Sequence, residues 1–300
     1  MEETTFTLDG TPEGGGGPGV FVRRWSPSGR APAQARAAVQ LAHGMGEHSA
    51  RYARFAEALT GAGYVVYAND HRGHGHTAPD GTLGDFGPDG WNGLVSDLGA
   101  LGAHIDAETG DLPRVLFGHS MGSFALQQFL LDHSSTIAGA VLSGTSAGDV
   151  IAAAGDTPPE PGAPSMFDLF NAAFAPNRTD ADWLSRDDAE VDKYVADPLC
   201  GFEVTPESMG LMAANAGRLA DPAAIANIRS DLPILMISGS ADPLAGGLTL
   251  VELVAQRYRD AGVSDVETHW YTDARHELLN ETNRDEVTAD VIAWLDRVVG

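Results

Sequence analysis

The stretch RVLFGHSMGSFALQQFLLDH, residues 114–133, decides the fold of this 300-residue chain. Its apolar run at 115–117 is typical of a buried strand, and residues 121–132 are expected to form a helix. The turn between them, Gly-His-Ser-Met-Gly, has a glycine on each side of Ser120. Such glycines relieve crowding where a strand runs through a strained bend directly into a helix. The stretch therefore predicts a strand, a tight turn and a helix, with Ser120 exposed at the bend as a candidate nucleophile.

A second Gly-x-Ser-x-Gly match lies at residues 144–148, so the pattern alone does not select the nucleophile. Ser146 also follows an apolar run, but it leads into GDVIAAAGDTPPEPG, which cannot sustain a long helix. We therefore expect Ser146 to lie in a loop and Ser120 to be the nucleophile.

Strand and helix patterns alternate through most of the chain. A glycine-rich turn at 14–17 separates the first two predicted strands, and helical spacing separates most of the others. The predicted strands are residues 4–8, 20–25, 37–42, 64–68, 115–117, 138–142, 234–237 and 266–271. This alternation predicts an α/β fold with a mostly parallel, doubly wound sheet, whose sites lie at the carboxyl ends of the strands.

One segment interrupts the alternation. Residues 146–225 are rich in Pro, Ala, Asp and Met and contain no convincing strand, which predicts a mainly helical cap inserted after the sixth strand. The core is then formed by residues 1–145 and 226–300. An apolar stripe in the cap either packs on the core or receives a hydrophobic substrate. The stripe comprises Met166, Leu169, Phe170, Ala173 and Phe174; the candidate substrate-binding residues are Phe167, Phe170 and Phe174.

A serine hydroxyl is a poor nucleophile at neutral pH and needs a base and a group that orients the base. Asp242 follows the strand predicted at 234–237, and His276 follows the one at 266–271, so both can reach the carboxyl edge of the sheet. Imidazole titrates near neutrality and can accept the proton of Ser120 and later donate it. These three residues form the candidate catalytic triad.

Other histidines and acids fit less well. His269 lies inside a predicted strand, and Asp273 is only three residues from His276. His119 directly precedes Ser120, and strand alternation would point its side chain away from the serine.

An oxyanion hole needs two donors aimed at the developing negative charge, each worth roughly 3–4 kcal/mol. The backbone N–H of Met121, directly after the nucleophile, is one candidate. The other is the N–H of Met45, in the HGMG turn at 43–46 that follows the third predicted strand. The glycines of this turn let the backbone come close to a substrate.

The charge balance and the apolar content of the chain limit the kinds of molecule that the protein is expected to bind. The chain has 42 acidic and 18 basic residues and a formal net charge of −24, which repels phosphate backbones and anionic membranes. We expect no nucleic-acid binding. No apolar stretch approaches the roughly 18–20 residues that span a bilayer, so we also expect no stable membrane insertion. The charge indicates either a highly soluble surface or a preference for neutral or cationic substrates, and the oligomeric state stays unknown.

Signals for metals, disulfides and export are weak. The single cysteine, Cys200, cannot form an intramolecular disulfide. The histidine-rich run at 71–76 lacks the cysteines or paired carboxylates of a zinc pattern, and we assign Asp70 and Arg72 to stabilising that loop. The acidic start, MEETTFTLDG, lacks the basic residues and apolar core of a secretion signal. The sequence predicts no metal, no cofactor and a cytoplasmic location.

In combination, these motifs resemble the monoacylglycerol lipase and lysophospholipase branch of the α/β hydrolases. The resemblance rests on HGMGEHSARY at 43–52, NDHRGHGHT at 69–77, FGHSMGS at 117–123, SGSADPL at 238–244 and ARHELLNE at 274–281. It implies the α/β-hydrolase fold, with Ser120, Asp242 and His276 as the triad. It also implies Met45 and Met121 as oxyanion donors. Ser123 and Thr77 depart from the residues usual in this family, glycine and serine.

The resemblance implies hydrolysis of a small-molecule carboxylic ester, such as a monoacylglycerol or a similar lipid-like ester, through an acyl-enzyme. A thioesterase or an aminopeptidase on the same fold is an alternative, since all three share this chemistry. A non-catalytic ligand-binding protein of the same fold is an alternative of another class.

Overall fold

The computed structural model describes residues 1–9, 19–155, 164 and 166–300, and its centre is one eight-stranded sheet. The strand order is β1-β2-β4-β3-β5-β6-β7-β8. The strands are β1 (Glu2–Leu8), β2 (Val20–Ser26), β3 (Ala38–Ala42), β4 (Val65–Asn69), β5 (Arg114–His119), β6 (Gly139–Ser143), β7 (Ile234–Gly239) and β8 (Val266–Tyr271). Every predicted strand is present, with ends that agree to within two residues. The predicted turn at 14–17 lies outside the described residues.

Strands β3 to β8 run parallel, while β1 and β2 pair antiparallel at one edge. Successive side chains of a strand face opposite sides, so each parallel strand supplies both apolar layers. In β7, Ile234 and Met236 pack in one layer, and Leu235 and Ile237 in the other. The fold prediction of a mostly parallel, doubly wound α/β sheet is confirmed.

Helices cover both faces of the sheet. The first layer contains apolar residues of α2 (Gly90–Thr109), α3 (Met121–His133) and α9 (Thr249–Asp260). The second contains those of α1 (Ala53–Gly61) and α10 (Arg284–Val299). Because crossover helices connect parallel strands, the carboxyl ends of β5, β7 and β8 share one edge of the sheet.

The segment between β6 and β7 contains helices and no strand among its described residues. These helices are α4 (Gly148–Gly155), α5 (Met166–Ala172), α6 (Asp188–Ala196), α7 (Pro206–Ala216) and α8 (Pro222–Ile225). The mainly helical insertion after the sixth strand is therefore present. Its stripe is only partly covered, since Leu169 is 59% exposed. Nowhere in the described ranges is a helix both long and apolar enough to cross a bilayer.

Candidate active site

Ser120 lies at the bend between β5 and α3, with a φ of 51° and a ψ of −119°. A positive φ is strained for a residue with a side chain and marks a position that the surrounding structure enforces. Two close approaches explain the flanking glycines. A Cβ on Gly118 would lie 2.6 Å from the carbonyl oxygen of Gly122, and one on Gly122 would lie 2.6 Å from that of His43. The bend therefore requires both glycines, and it holds Ser120 at the carboxyl edge.

His276 and Asp242 meet at the same edge. Nδ1 of His276 is 2.8 Å from Oδ2 of Asp242, and both side chains are almost fully buried. Burial disfavours the imidazolium, but the Asp242 carboxylate outweighs it and raises the pKa of His276. This hydrogen bond directs Nδ1–H toward the carboxylate and leaves Nε2 as the basic nitrogen.

Ser120 and His276 line one polar cavity of about 390 Å³. Among the described residues, Oγ of Ser120 makes no hydrogen bond to His276. Such bonds are often long before substrate binds and tighten in the substrate complex. Ser120 also lines a second, apolar cavity of about 340 Å³, which His276 does not reach.

The two predicted oxyanion donors are available. Neither the N–H of Met45 nor that of Met121 donates a hydrogen bond within the described residues. Met121 begins α3, and the positive end of a helix dipole favours a nearby anion. Nδ1 of His43 lies 2.7 Å from the carbonyl oxygen of Gly44, and Nε2 accepts the N–H of His71 at 2.9 Å. Because a trans peptide is planar, a fixed Gly44 carbonyl also fixes the direction of the Met45 N–H.

A buried ionic cluster under this turn was missed by sequence reasoning. Glu47 accepts the Gly44 N–H at 2.5 Å, and Arg51 bonds both Glu47 at 2.8 Å and Glu277 at 2.5 Å. Burial would raise the pKa of Glu47, but Arg51 and other partners lower it to about 2. Arg51 thus joins the turn that holds Met45 to the loop that holds His276. The i, i+4 spacing of Glu47 and Arg51 could have predicted their ion pair. Nothing in the sequence indicated that Glu277 would also bind Arg51.

The cap aromatics divide into two groups. Phe167 and Phe170 line the apolar cavity beside Ser120, as do other apolar side chains of the cap. Phe174 lines neither cavity that reaches Ser120 and instead packs against the guanidinium of Arg275, 4.1 Å from its ring centre.

The sequence disfavours His119 and Ser146 as catalytic residues. His119 was predicted to point away from Ser120, but its ring lies 4.8 Å from that of His276 and lines the polar cavity that Ser120 also lines. The strained bend at Ser120 interrupts the strand alternation on which that prediction rested. Ser146 lies in a loop as predicted, fully buried, and its hydroxyl donates to the carbonyl of Leu244 at 2.7 Å.

The histidine-rich loop after β4 is held by charged neighbours, as predicted. Asp70 accepts backbone N–H groups of Ser49 and His76, both at 2.8 Å, and Arg72 is paired with Asp97 at 2.7 Å.

One group of possible metal ligands occurs among the described residues, namely His48, Asp197 and Cys200, with ligand atoms within 4.8 Å of one another. His48 already bonds Asp197 at 3.0 Å. Burial raises the pKa of the Cys200 thiol, which opposes the thiolate that binds metals. The absence of a metal stays a prediction.

The sheet order, the covered faces and a strained serine between strand and helix together define an α/β hydrolase. Comparison with known sequences identifies the family within this class. A family model described as serine aminopeptidase S33 matches residues 33–283, and the chain belongs to that family.

Several relatives that match most of the chain are named as lipases or esterases. A monoacylglycerol lipase of Mycolicibacterium smegmatis is 30% identical over 94% of both chains. The mouse monoglyceride lipase is 30% identical over 92% of this chain and 86% of its own. The crystal structure of a carboxyl esterase from Bacillus coagulans superimposes with a TM-score of 0.82 at 26% identity, covering 100% of both chains. The protein is a carboxylic ester hydrolase of the monoacylglycerol lipase-like branch.

Proposed function

We propose that this enzyme hydrolyses monoacylglycerols, or similar uncharged esters with one apolar acyl chain, through an acyl-enzyme on Ser120. The observation that carries the proposal is the pair of cavities that meet at Ser120, of which His276 lines only the polar one. A base that protonates the departing alcohol must face that alcohol. The alcohol therefore occupies the polar cavity, and the acyl chain occupies the apolar one.

In the proposed reaction, Oγ of Ser120 attacks the ester carbonyl while Nε2 of His276 removes its proton. The tetrahedral oxyanion accepts hydrogen bonds from the N–H groups of Met45 and Met121. His276 then protonates the alkoxide, which leaves through the polar cavity, and next activates water to release the fatty acid. Asp242 holds the productive tautomer and stabilises the imidazolium in both halves.

The linings of the two cavities favour esters over the alternative substrates. The apolar cavity has no acidic residue among its described lining residues, so the ammonium of an aminoacyl substrate would be buried without a partner. The polar cavity is lined by carboxylates, including Asp180 and Glu203, and by no Lys or Arg among the described residues. This charge disfavours thiol leaving groups that carry phosphates, such as that of coenzyme A.

Parallel turnover assays test the substrate class. We expect the highest kcat/KM with a monoacylglycerol, and lower values with an aryl ester, an acyl-coenzyme A and an aminoacyl amide. A preference for the thioester or the amide would overturn the substrate proposal.

A fluorophosphonate probe tests the nucleophile. We expect labelling of the wild type and of Ser146→Ala, the matched control in the second Gly-x-Ser-x-Gly match, but not of Ser120→Ala. Labelling that survives Ser120→Ala would overturn the assignment, and a wild type that does not react would favour a non-catalytic binding protein.

A further inference from the structure

An indole from the cap covers the imidazole of His276. The ring centre of Trp183 lies 4.8 Å from that of His276, with 33° between the ring planes. Trp183 is only 7% exposed, and it lines both the apolar and the polar cavity. Trp183 therefore lies beside the proposed acyl-chain cavity, the proposed leaving-group cavity and the imidazole of His276. No sequence motif had singled it out.

The indole is held in place from two sides. On the cap side it stacks on Phe167, with ring centres 5.6 Å apart and planes at 17°, and it contacts Phe170 at 5.2 Å. On the core side, the N–H of Glu277 donates to the carbonyl of Leu184 at 2.8 Å, and Arg275 donates to that of Ser185 at 3.1 Å. The backbone around Trp183 and the loop around His276 thus form one bonded unit.

This position matters when His276 is charged. Taking the proton of Ser120 creates an imidazolium on a side chain that is only 2% exposed, so little water can stabilise it. Asp242 stabilises it at one edge. His119, the other aromatic neighbour, has a pKa lowered to about 4 by burial and by His276 itself, so its ring is neutral. The face of an indole within about 6 Å attracts a cation, and it is the best of the aromatic side chains for this purpose.

We propose that Trp183 is a positioning residue for the catalytic base, which fixes the plane of the His276 ring and stabilises its imidazolium in the transition state. The inference rests on the proposed function in so far as His276 acts as the base. It adds a cap residue to the machinery, so the cap contributes to the chemical step as well as to substrate selection.

The kinetic test uses an uncharged aryl ester with a short acyl chain, which does not fill the apolar cavity. We expect Trp183→Leu to lower kcat about tenfold, because the π-face is lost, and to raise KM by a smaller factor, since Trp183 also lines the polar cavity that receives the aryl group. Trp183→Phe should recover most of the loss, since a phenyl ring still presents a π-face. Trp270→Leu, which removes an indole that lines neither cavity, should behave as the wild type.

A spectroscopic test does not depend on turnover. A protonated imidazole quenches the fluorescence of an indole in contact with it, so the wild type should show a pH-dependent step in tryptophan emission. His276→Gln and Trp183→Phe should each lack this step, whereas Trp270→Leu should keep it.

The proposal is overturned if Trp183→Leu turns over the aryl ester at the wild-type rate. It is also overturned if Trp183→Phe is as slow as a well-folded Trp183→Leu, or if the emission step persists in His276→Gln. A failure of the proposed function looks different: either Ser120 does not react with fluorophosphonate in any variant, or the wild type and all variants share a preference for the thioester or the amide.

Discussion

At His276, burial and the Asp242 carboxylate act on the imidazole in opposite directions. Burial lowers its affinity for a proton, but the carboxylate at 2.8 Å dominates, so the pKa lies above the ordinary 6.5. Only the neutral ring can accept the proton of Ser120, and kcat/KM should therefore fall as the pH drops through this raised pKa. Asp242→Asn should move that acidic limb to lower pH and reduce the plateau about 10⁴-fold. A pH–rate profile with a neutral ester measures both effects, and an unmoved limb would contradict the pairing.

Ser123 replaces the second glycine that the resembled family usually has after the bend. Its hydroxyl lies 2.6 Å from the carbonyl oxygen of Ser120 and 2.7 Å from Oγ1 of Thr145, inside the core. We expect Ser123→Ala to lower the free energy of unfolding by about 1 kcal/mol through loss of buried hydrogen bonding. Ser123→Gly should cost about 1 kcal/mol more because glycine is a poor helix former. Urea denaturation measures both, and a glycine variant as stable as the wild type would refute this role.

Single residues were predictable where chain order and local spacing fix them. The positions of Asp242 and His276 after two strands were sufficient to select a pair that does hydrogen bond. The contacts of Trp183 and Glu277 were not predictable, because each depends on how a cap or loop segment meets a distant turn. Phe174 shows the same limit, since helical spacing groups it with Phe170 but does not give the surface that each one faces.

Between elements, Arg51 forms an ionic link from the HGMG turn at 43–46 to the loop after β8. Its exposure is 11%, and those of its partners Glu47 and Glu277 are 4% and 7%. Arg51→Gln would leave two buried carboxylates without their cation, so we expect the free energy of unfolding to fall by about 3–5 kcal/mol. The matched control is Arg54→Gln, which breaks a pair whose arginine is 42% exposed and should cost at most about 1 kcal/mol. Equal losses in the two variants would contradict the special role of Arg51.

Elements of the core were predictable because short apolar runs between turn signals are what a parallel strand buried on both faces requires. The cap helices were less predictable. They are short and do not alternate with strands, so the sequence pattern does not give their arrangement in space. The sequence therefore predicted that the cap is helical without predicting which of its side chains line the cavities at Ser120. The bounds 146–225 remain a proposal for where the cap begins and ends.

For the whole molecule, the formal net charge of −24 makes stability depend on the salt concentration. If every one of the 18 basic residues pairs with a carboxylate, 24 of the 42 acidic residues still lack a cation. Their mutual repulsion opposes the compact state and is screened by salt, since the screening length falls from about 30 Å at 0.01 M to about 3 Å at 1 M. Salt also weakens the surface ion pairs, but these contribute little singly.

We therefore expect Tm at neutral pH to rise by several degrees between low salt and 0.5 M NaCl. In a chain of this size, a gain of 1 kcal/mol in the free energy of unfolding raises Tm by about 2–4 °C or less. Sodium chloride is the appropriate salt, because sulfate and phosphate also strengthen burial of apolar surface. Sucrose at equal osmolality is the control for non-electrostatic effects. A Tm that falls as NaCl is added would mean that the ion pairs between cap and core, such as Arg284 with Asp187, outweigh the repulsion of the excess carboxylates.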